Sequence, residues 1–222
     1  MSERWPGDEA EALELAEEAP AEMDEPEQDV VDEAEPEPEE DAEEPIPRLR
    51  APGEHAEGEL DIPDDVNVIE GEPDGTRRGV AIVAARFNGE ITNRLLDSAL
   101  EELDRLGVRP AAITVMPVPG AFELPLAAMA LAKTRRFACV VALGCVIRGE
   151  TPHFEYVASE AASGLQLAAL ETGVPVAFGL LTVDNAEQAE ARVGKGAEAV
   201  RTALEMADAF AQLRATAVQA AR

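Results

Sequence analysis

Residues 79–87 read GVAIVAARF, and the character of the chain changes there abruptly. An unbroken, β-branched apolar run of this length suits a strand buried on both faces of a parallel sheet, whereas a strand with one wet face would alternate. AAITVMPV at 111–118, ACVVALGC at 138–145 and VAFGLLTV at 176–183 repeat the signal. Between them the apolar residues fall at helical spacing. Ile91 to Leu106 aligns Leu96, Ala99, Leu100 and Leu103 and stops at Gly107, and a second helix runs from Glu123 to Lys133. Phe154 to Glu171 forms the third, ended by Thr172-Gly173. Asp184-Asn185 caps a further helix, and Ala197 to Leu213 closes the series with Val200, Leu204, Ala207 and Phe210 on one face. Strands alternating with helices at this spacing predict an α/β fold with a four-stranded parallel sheet covered on both faces and joined by right-handed crossovers.

Ahead of this pattern the composition is different. Residues 1 to 78 hold 30 of the 46 acidic residues and 5 of the 18 basic ones, a net charge of −25; residues 79–222 hold 16 acids and 13 bases, a net of −3. The 144 residues from 79 onward are enough to bury about two thirds of their unfolded surface in one core. The acidic part, with EPEPEEDAEEPIP at 35–47, has few large apolar side chains and many prolines, so burial cannot offset the entropy of ordering it. Residues 1–65 are therefore expected to be a disordered acidic tail and residues 66–222 the folded domain.

The same charge argues against nucleic acid as a partner, because phosphates would be repelled. The opening residues MSERWPGDEA hold no apolar run of the kind a secretory signal needs, and no stretch reaches the length of a membrane span; the expectation is a cytoplasmic protein with no membrane partner. Cys139 and Cys145 lie on one expected strand, six residues or roughly 20 Å apart, too far for a disulfide. With no CxxC and no metal-ligand spacing, they are expected to be buried thiols, and no metal site is expected.

In an open parallel sheet ligands bind beyond the carboxyl ends of the strands, so chemistry is to be sought where each apolar run stops. The first run ends in Arg86-Phe87-Asn88, with Phe87 facing either the crevice or a neighbouring helix. The second ends in Val118-Pro119-Gly120, a tight turn whose following residues, Ala121 to Glu123, open a helix with free N–H groups. The third passes through Arg148, Gly149, Glu150, Thr151 and Pro152 to His153, one of two histidines; the other, His55, lies in the acidic segment. Phe178 stands near the beginning of the fourth run, which assigns it to another edge of the domain or to an interface. Neither GxxxxGK[ST] nor GxGxxG follows the first strand, which argues against nucleotide hydrolysis and nicotinamide chemistry.

Taken in order, ARFN at 85–88, VPGAFELP at 118–125, GCVIRGETPHFEYV at 144–157 and GVPVAFGLLTVDN at 173–185 resemble the 6,7-dimethyl-8-ribityllumazine synthase family, over about Val66 to Phe210. The resemblance implies a flavodoxin-like three-layer sandwich. It also implies an enzyme that condenses 5-amino-6-(D-ribitylamino)uracil with 3,4-dihydroxy-2-butanone 4-phosphate, the penultimate step of riboflavin synthesis, without a cofactor. Phe87 matches the aromatic that stacks on the pyrimidine, and Ala121, Phe122 and Glu123 match the segment that holds the ribityl chain and ring. Cys145, Val146 and Ile147 match the strand end that lines the pyrimidine.

For the second substrate, Glu150 and Thr151 match the loop near the phosphate, and Arg192 matches the arginine that binds it through parallel hydrogen bonds. Phe178 matches an aromatic contributed by a neighbouring subunit, which implies a homo-oligomer: a pentamer, or pentamers built into an icosahedral shell. His153 matches the catalytic histidine, and imidazole, with its unperturbed pKa nearest neutrality, suits a sequence of proton transfers. The substrate's own amine is the nucleophile, so no Schiff-base lysine is needed, and the chain has only Lys133 and Lys195. One departure is that the chain reads only RVGKGA at 192–197 where the family has a longer Gly- and Lys-bearing loop. The competing expectation is a catalytically silent flavin- or lumazine-binding homologue that forms shells; the presence of Phe87, His153 and Arg192 together speaks against it.

Deleting residues 1–65 is expected to leave turnover nearly intact, since every strand end lies beyond Gly79. Loss of most of the −25 charge lowers repulsion between copies, so light scattering across a salt series should show larger assemblies for the shortened protein at low ionic strength. Identical size distributions would count against a role for the tail in assembly.

Overall fold

The computed structural model describes residues 60–63 and 65–220. The disorder expected of the acidic segment falls almost wholly outside the described residues. The elements are β1 (Val80–Ala85), α1 (Gly89–Arg105), β2 (Ile113–Val118), α2 (Leu124–Lys133), β3 (Cys139–Ile147), α3 (His153–Thr172), β4 (Val176–Val183), α4 (Ala186–Glu190) and α5 (Lys195–Ala220). Short 3₁₀ turns at Pro110–Ala112 and Ala121–Glu123 precede β2 and α2. The four strands form one parallel sheet in the order β2-β1-β3-β4, the flavodoxin-like order lacking a fifth strand.

The apolar run that opens β1 is buried along its whole length because the two faces of the strand feed separate cores. Val80, Ile82 and Ala84 pack with Ala99 and Leu103 of α1 and Val200 and Leu204 of α5. Ala81, Val83 and Ala85 pack with Leu124 and Ala128 of α2 and Ala161 and Leu165 of α3. Period-two alternation of the strand therefore produces the three layers. Each large aliphatic side chain taken wholly out of water contributes about 1.5–3 kcal/mol relative to exposure. A third, smaller cluster of Ile91, Leu95, Cys145, Leu181, Val183 and Ala189 closes the carboxyl end of the sheet.

Some boundaries differ from the sequence reading for visible reasons. β3 runs two residues further, because Val146 and Ile147 go on pairing with Thr182 and Val183. β2 has the composition of a buried strand, yet it lies at the sheet edge and only Val118 is buried. The last helix extends to Ala220. Cys139 and Cys145 are both buried free thiols, as their spacing along one strand predicts. No helix among the described residues is long and apolar enough to cross a membrane.

Close approach of α1 and α5 depends on Gly196, where a Cβ would run into the backbone carbonyl of Leu95. Nearby, the buried Glu102 carboxylate ties the same two helices together. Its Oε1 accepts from Arg105 Nη2 at 2.5 Å and from Arg201 Nη1 at 3.0 Å, and its Oε2 accepts from Arg105 Nε at 2.8 Å. The segment before β1 is fastened to α5: Gln212 Nε2 donates to the Glu70 carbonyl at 2.8 Å, and the Asp208 carboxylate accepts from the Glu72 amide at 3.1 Å and from Arg78 at 2.5 Å.

Burial alone would raise the pKa of Glu102, but the hydrogen bonds and charges of Arg105 and Arg201 outweigh it and hold the carboxyl below its ordinary value of 4.5. A folded-state pKa below the unfolded one gives stability that is fully present above about pH 4.5 and is lost as pH falls through the lowered value. Urea unfolding from pH 7 to pH 3 should therefore show a falling midpoint, and Glu102→Gln should be less stable at pH 7 with a shallower fall on acidification. Equal slopes for the two proteins would show that this carboxylate does not contribute to the acid limb.

Candidate active site

The chain leaves β1 for β2 on one side and then crosses to β3 on the other, so the connections diverge and open a crevice between the tips of β1 and β3. Two sets of hydrogen bonds shape the β1 tip. Toward β2, the Arg86 amide donates to the Val118 carbonyl at 2.8 Å and the Phe87 amide to the Pro119 carbonyl at 3.1 Å. Toward β3, Asn88 Nδ2 donates to the Cys145 carbonyl at 2.9 Å. Asn88 sits at φ 56°, in the left-handed region that Asn tolerates better than most residues, and although it precedes α1 its side chain does not cap the helix. Phe87, between these anchors, is 71% exposed at the mouth of the crevice.

Beyond β2, Ala121 is buried, Glu123 half-buried and Phe122 exposed. The Glu123 carboxylate folds back over the turn, and a Cβ on Gly120 would lie 3.2 Å from its Oε2, so glycine leaves the carboxylate room. At the β3 tip Cys145 is buried while Val146 and Ile147 are half-buried. Burial pushes the Cys145 thiol up to about 11, which keeps it neutral and unreactive near pH 7. From Arg148 to His153 every residue is exposed, and His153 is the first residue of α3. Arg148 is held on three sides: Nε donates to Asp184 Oδ1 at 2.9 Å, Nη1 to Glu155 Oε1 at 3.2 Å, and the guanidinium lies 4.4 Å over the Phe154 ring. The hydrogen bonds to Asp184 and Glu155 raise its pKa further.

Two of the expected site residues lie elsewhere. Phe178 is the third residue of β4, the opposite edge strand from β2, and is about half exposed. Arg192 follows α4 and donates from Nη1 to the Gln188 carbonyl at 2.8 Å. Together with Lys195, which pairs with Glu198 at 2.5 Å, they line a cavity of about 230 Å³ along the outer edge of β4. None of Phe87, Glu123 and His153 lines it. Within one copy the expected residues thus form two groups, one around the β1–β3 crevice and one on the β4 edge.

Residues 78–211 match the sequence model of a family described as 6,7-dimethyl-8-ribityllumazine synthase. The chain belongs to that family. Over 147 residues it is 55% identical to the 6,7-dimethyl-8-ribityllumazine synthases of Yersinia pestis (strain Pestoides F) and Yersinia pseudotuberculosis serotype O:1b (strain IP 31758), covering 64% of this chain and 94% of each relative. The lumazine synthase match begins at Arg78, which is bound to Asp208, and takes in all four strands.

Three residues that shape these surfaces are absent from the sequence-based site. Asn88 was legible in principle, since Asn directly after a buried strand is a residue that accepts left-handed backbone. Arg148 is the only Lys or Arg between Arg136 and Arg192, a solitary charge at a strand end. Lys195 joins Arg192 only because the turn after α4 brings residues 192 and 195 to one cavity wall.

Asn88→Ala should destabilise the protein by about 2–3 kcal/mol, combining the left-handed backbone cost with the lost bond to Cys145, whereas Asn88→Gly should cost about 1 kcal/mol because only the bond is lost. Urea unfolding of both variants checks this, and equal losses would show that the backbone term is absent.

Proposed function

We propose that the protein condenses 5-amino-6-(D-ribitylamino)uracil with 3,4-dihydroxy-2-butanone 4-phosphate to 6,7-dimethyl-8-ribityllumazine, releasing phosphate and water. The observation that carries the reading is the lumazine synthase family match, which runs through all four strand ends and every residue of the expected site. The domain is taken as residues 66–222, and its metabolic chemistry fits a cytoplasmic setting.

The crevice chemistry fits the uracil. Phe87 offers an exposed ring for stacking, Glu123 a carboxylate acceptor for ribityl hydroxyls, and the β3 tip at Cys145–Ile147 an edge for the pyrimidine. Glu150 and Thr151 then lie between that edge and His153, at the start of a long helix whose first N–H groups are not capped by a side chain, a favourable setting for phosphate. Holding the uracil amine against the ketone removes most of the entropic barrier to imine formation. His153 accepts and returns protons as water leaves, as phosphate is eliminated and as the second nitrogen closes the ring.

The β4-edge group supports a site completed by a second copy. Arg192 is exposed and spends one nitrogen on Gln188, which leaves other donors of its fork for phosphate. We infer that Phe178 and Arg192 reach the crevice of a neighbouring copy, in a pentamer or in pentamers assembled as a shell.

Mixing the protein with both substrates should produce lumazine absorbance; its absence would refute the reading. His153→Ala should lower kcat roughly 10- to 100-fold without abolishing it, and Arg192→Ala should mainly raise KM for the butanone phosphate. Phe178→Ala should raise KM for the uracil, and the wild-type protein should lose activity on dilution in step with dissociation. An active monomer in sedimentation would overturn the shared site.

A further inference from the structure

We propose that Arg148 is a positioning residue, clasping the link Gly149–Pro152 so that Glu150 and Thr151 face the phosphate and His153 faces the reacting atoms. The inference rests on the function proposed above and deepens it. The link has little else to fix its shape. All four of its residues are exposed, a Cβ on Gly149 would meet nothing within 4 Å, and among the described residues neither Glu150 nor Thr151 has a side-chain partner. Its backbone is tied at the ends, where the Arg148 amide donates to the Val183 carbonyl at 2.9 Å and the Glu155 amide to the Pro152 carbonyl at 3.0 Å.

The Arg148 side chain bridges those ends. Its contacts with Phe154 and Glu155 close a loop of a few residues around the link, and its bond to Asp184 anchors that loop to the tip of β4. Exposed ion pairs are individually weak. Here three contacts share one planar group, and closing so short a loop costs little entropy. A lysine could satisfy only part of this geometry, because an ammonium has neither the fork nor the flat face. The guanidinium is directed to two carboxylates, which distinguishes it from Arg192, whose contact is a single backbone carbonyl. The link carries the expected phosphate contacts and ends at His153, so loosening it misplaces reacting groups, and an error of about 1 Å can cost up to about 100-fold in rate.

The test compares Arg148→Ala, Arg148→Lys and the double variant Glu155→Ala/Asp184→Ala, which keeps the guanidinium and removes its two carboxylate acceptors. The clasp predicts that kcat falls about tenfold or more in both Arg148→Ala and the double variant, with Arg148→Lys recovering only part of the loss. It also predicts faster hydrogen exchange in the unliganded protein at the amides of residues 148 and 155, whose bonds to the Val183 and Pro152 carbonyls tie the two ends of the link, with thermal midpoints close to wild type because the network is exposed. If Arg148 instead binds the phosphate directly, Arg148→Ala will chiefly raise KM for the butanone phosphate, while the double variant, with its guanidinium released, will keep kcat and bind that substrate as well or better. Wild-type kcat in the double variant, or unchanged exchange at the amides of residues 148 and 155, overturns the clasp. A wild-type protein that forms no lumazine would defeat the functional reading instead, and exchange would then decide the clasp alone.

Discussion

Everything in the folded domain hangs on β1 having a parallel partner on each side and a pair of helices over each face. Its residues are at most 6% exposed, and its backbone pairs with β2 from Val80 to Ala85 and with β3 from Val80 to Ala84. A strand so placed can satisfy its amides and carbonyls only within the sheet, since no water reaches them. Its side chains must also be small or β-branched enough for both cores. Ala alternates with Val and Ile in VAIVAA for this reason: α2 and α3 pack over Ala81, Val83 and Ala85, while α1 and α5 cover Val80, Ile82 and Ala84.

That constraint also places the crevice. Once β1 is central and β2 and β3 flank it, the connections must part at its carboxyl end, and the residues that follow each strand inherit positions around one opening. Asn88 joins the two sides by reaching from the end of β1 to the Cys145 carbonyl of β3, so the rigid sheet fixes the setting of Phe87. The β3–α3 link is the less supported part of the same rim. It projects into solvent and takes its attachments from Arg148, Phe154, Glu155 and Asp184, charged and aromatic groups that do not belong to the core. Stiff strand ends around the crevice and an exposed link leading to His153 form a reasonable division, because rigidity is cheapest where burial already provides it.

The β4 edge has the opposite character. Phe178 stands half exposed there with Arg192 and Lys195 along an open cavity, each cation making one polar side-chain contact among the described residues, to the Gln188 carbonyl and to Glu198. An aromatic and two cations gathered away from the crevice make sense if the edge serves a second copy, which is the basis of the shared site proposed above. Phe178 lies near the start of β4, far along the strand from Val183 at its carboxyl end, and the cavity it lines with Arg192 includes none of Phe87, Glu123 and His153.

Much of this was legible in the residues themselves. Four apolar runs with helical spacing between them determine an α/β sheet, because burial on both faces leaves no other arrangement for strands without alternation. The strand-end motifs likewise determined the family, and with it Phe87, Glu123 and His153 as the residues to watch. What periodicity cannot encode is which strands become edges: β2 reads like a core strand but is largely exposed, since exposure depends on what lies beside it in the sheet. The place of Phe178 near the start of its run already assigned it to another edge, but spacing could not reveal that Arg192 joins it there, that Arg148 meets Asp184, 36 residues away, or that Asn88 meets Cys145 across 57. Local patterns determine elements because their forces act within a few residues, whereas these contacts exist only once the sheet order brings distant strand ends together.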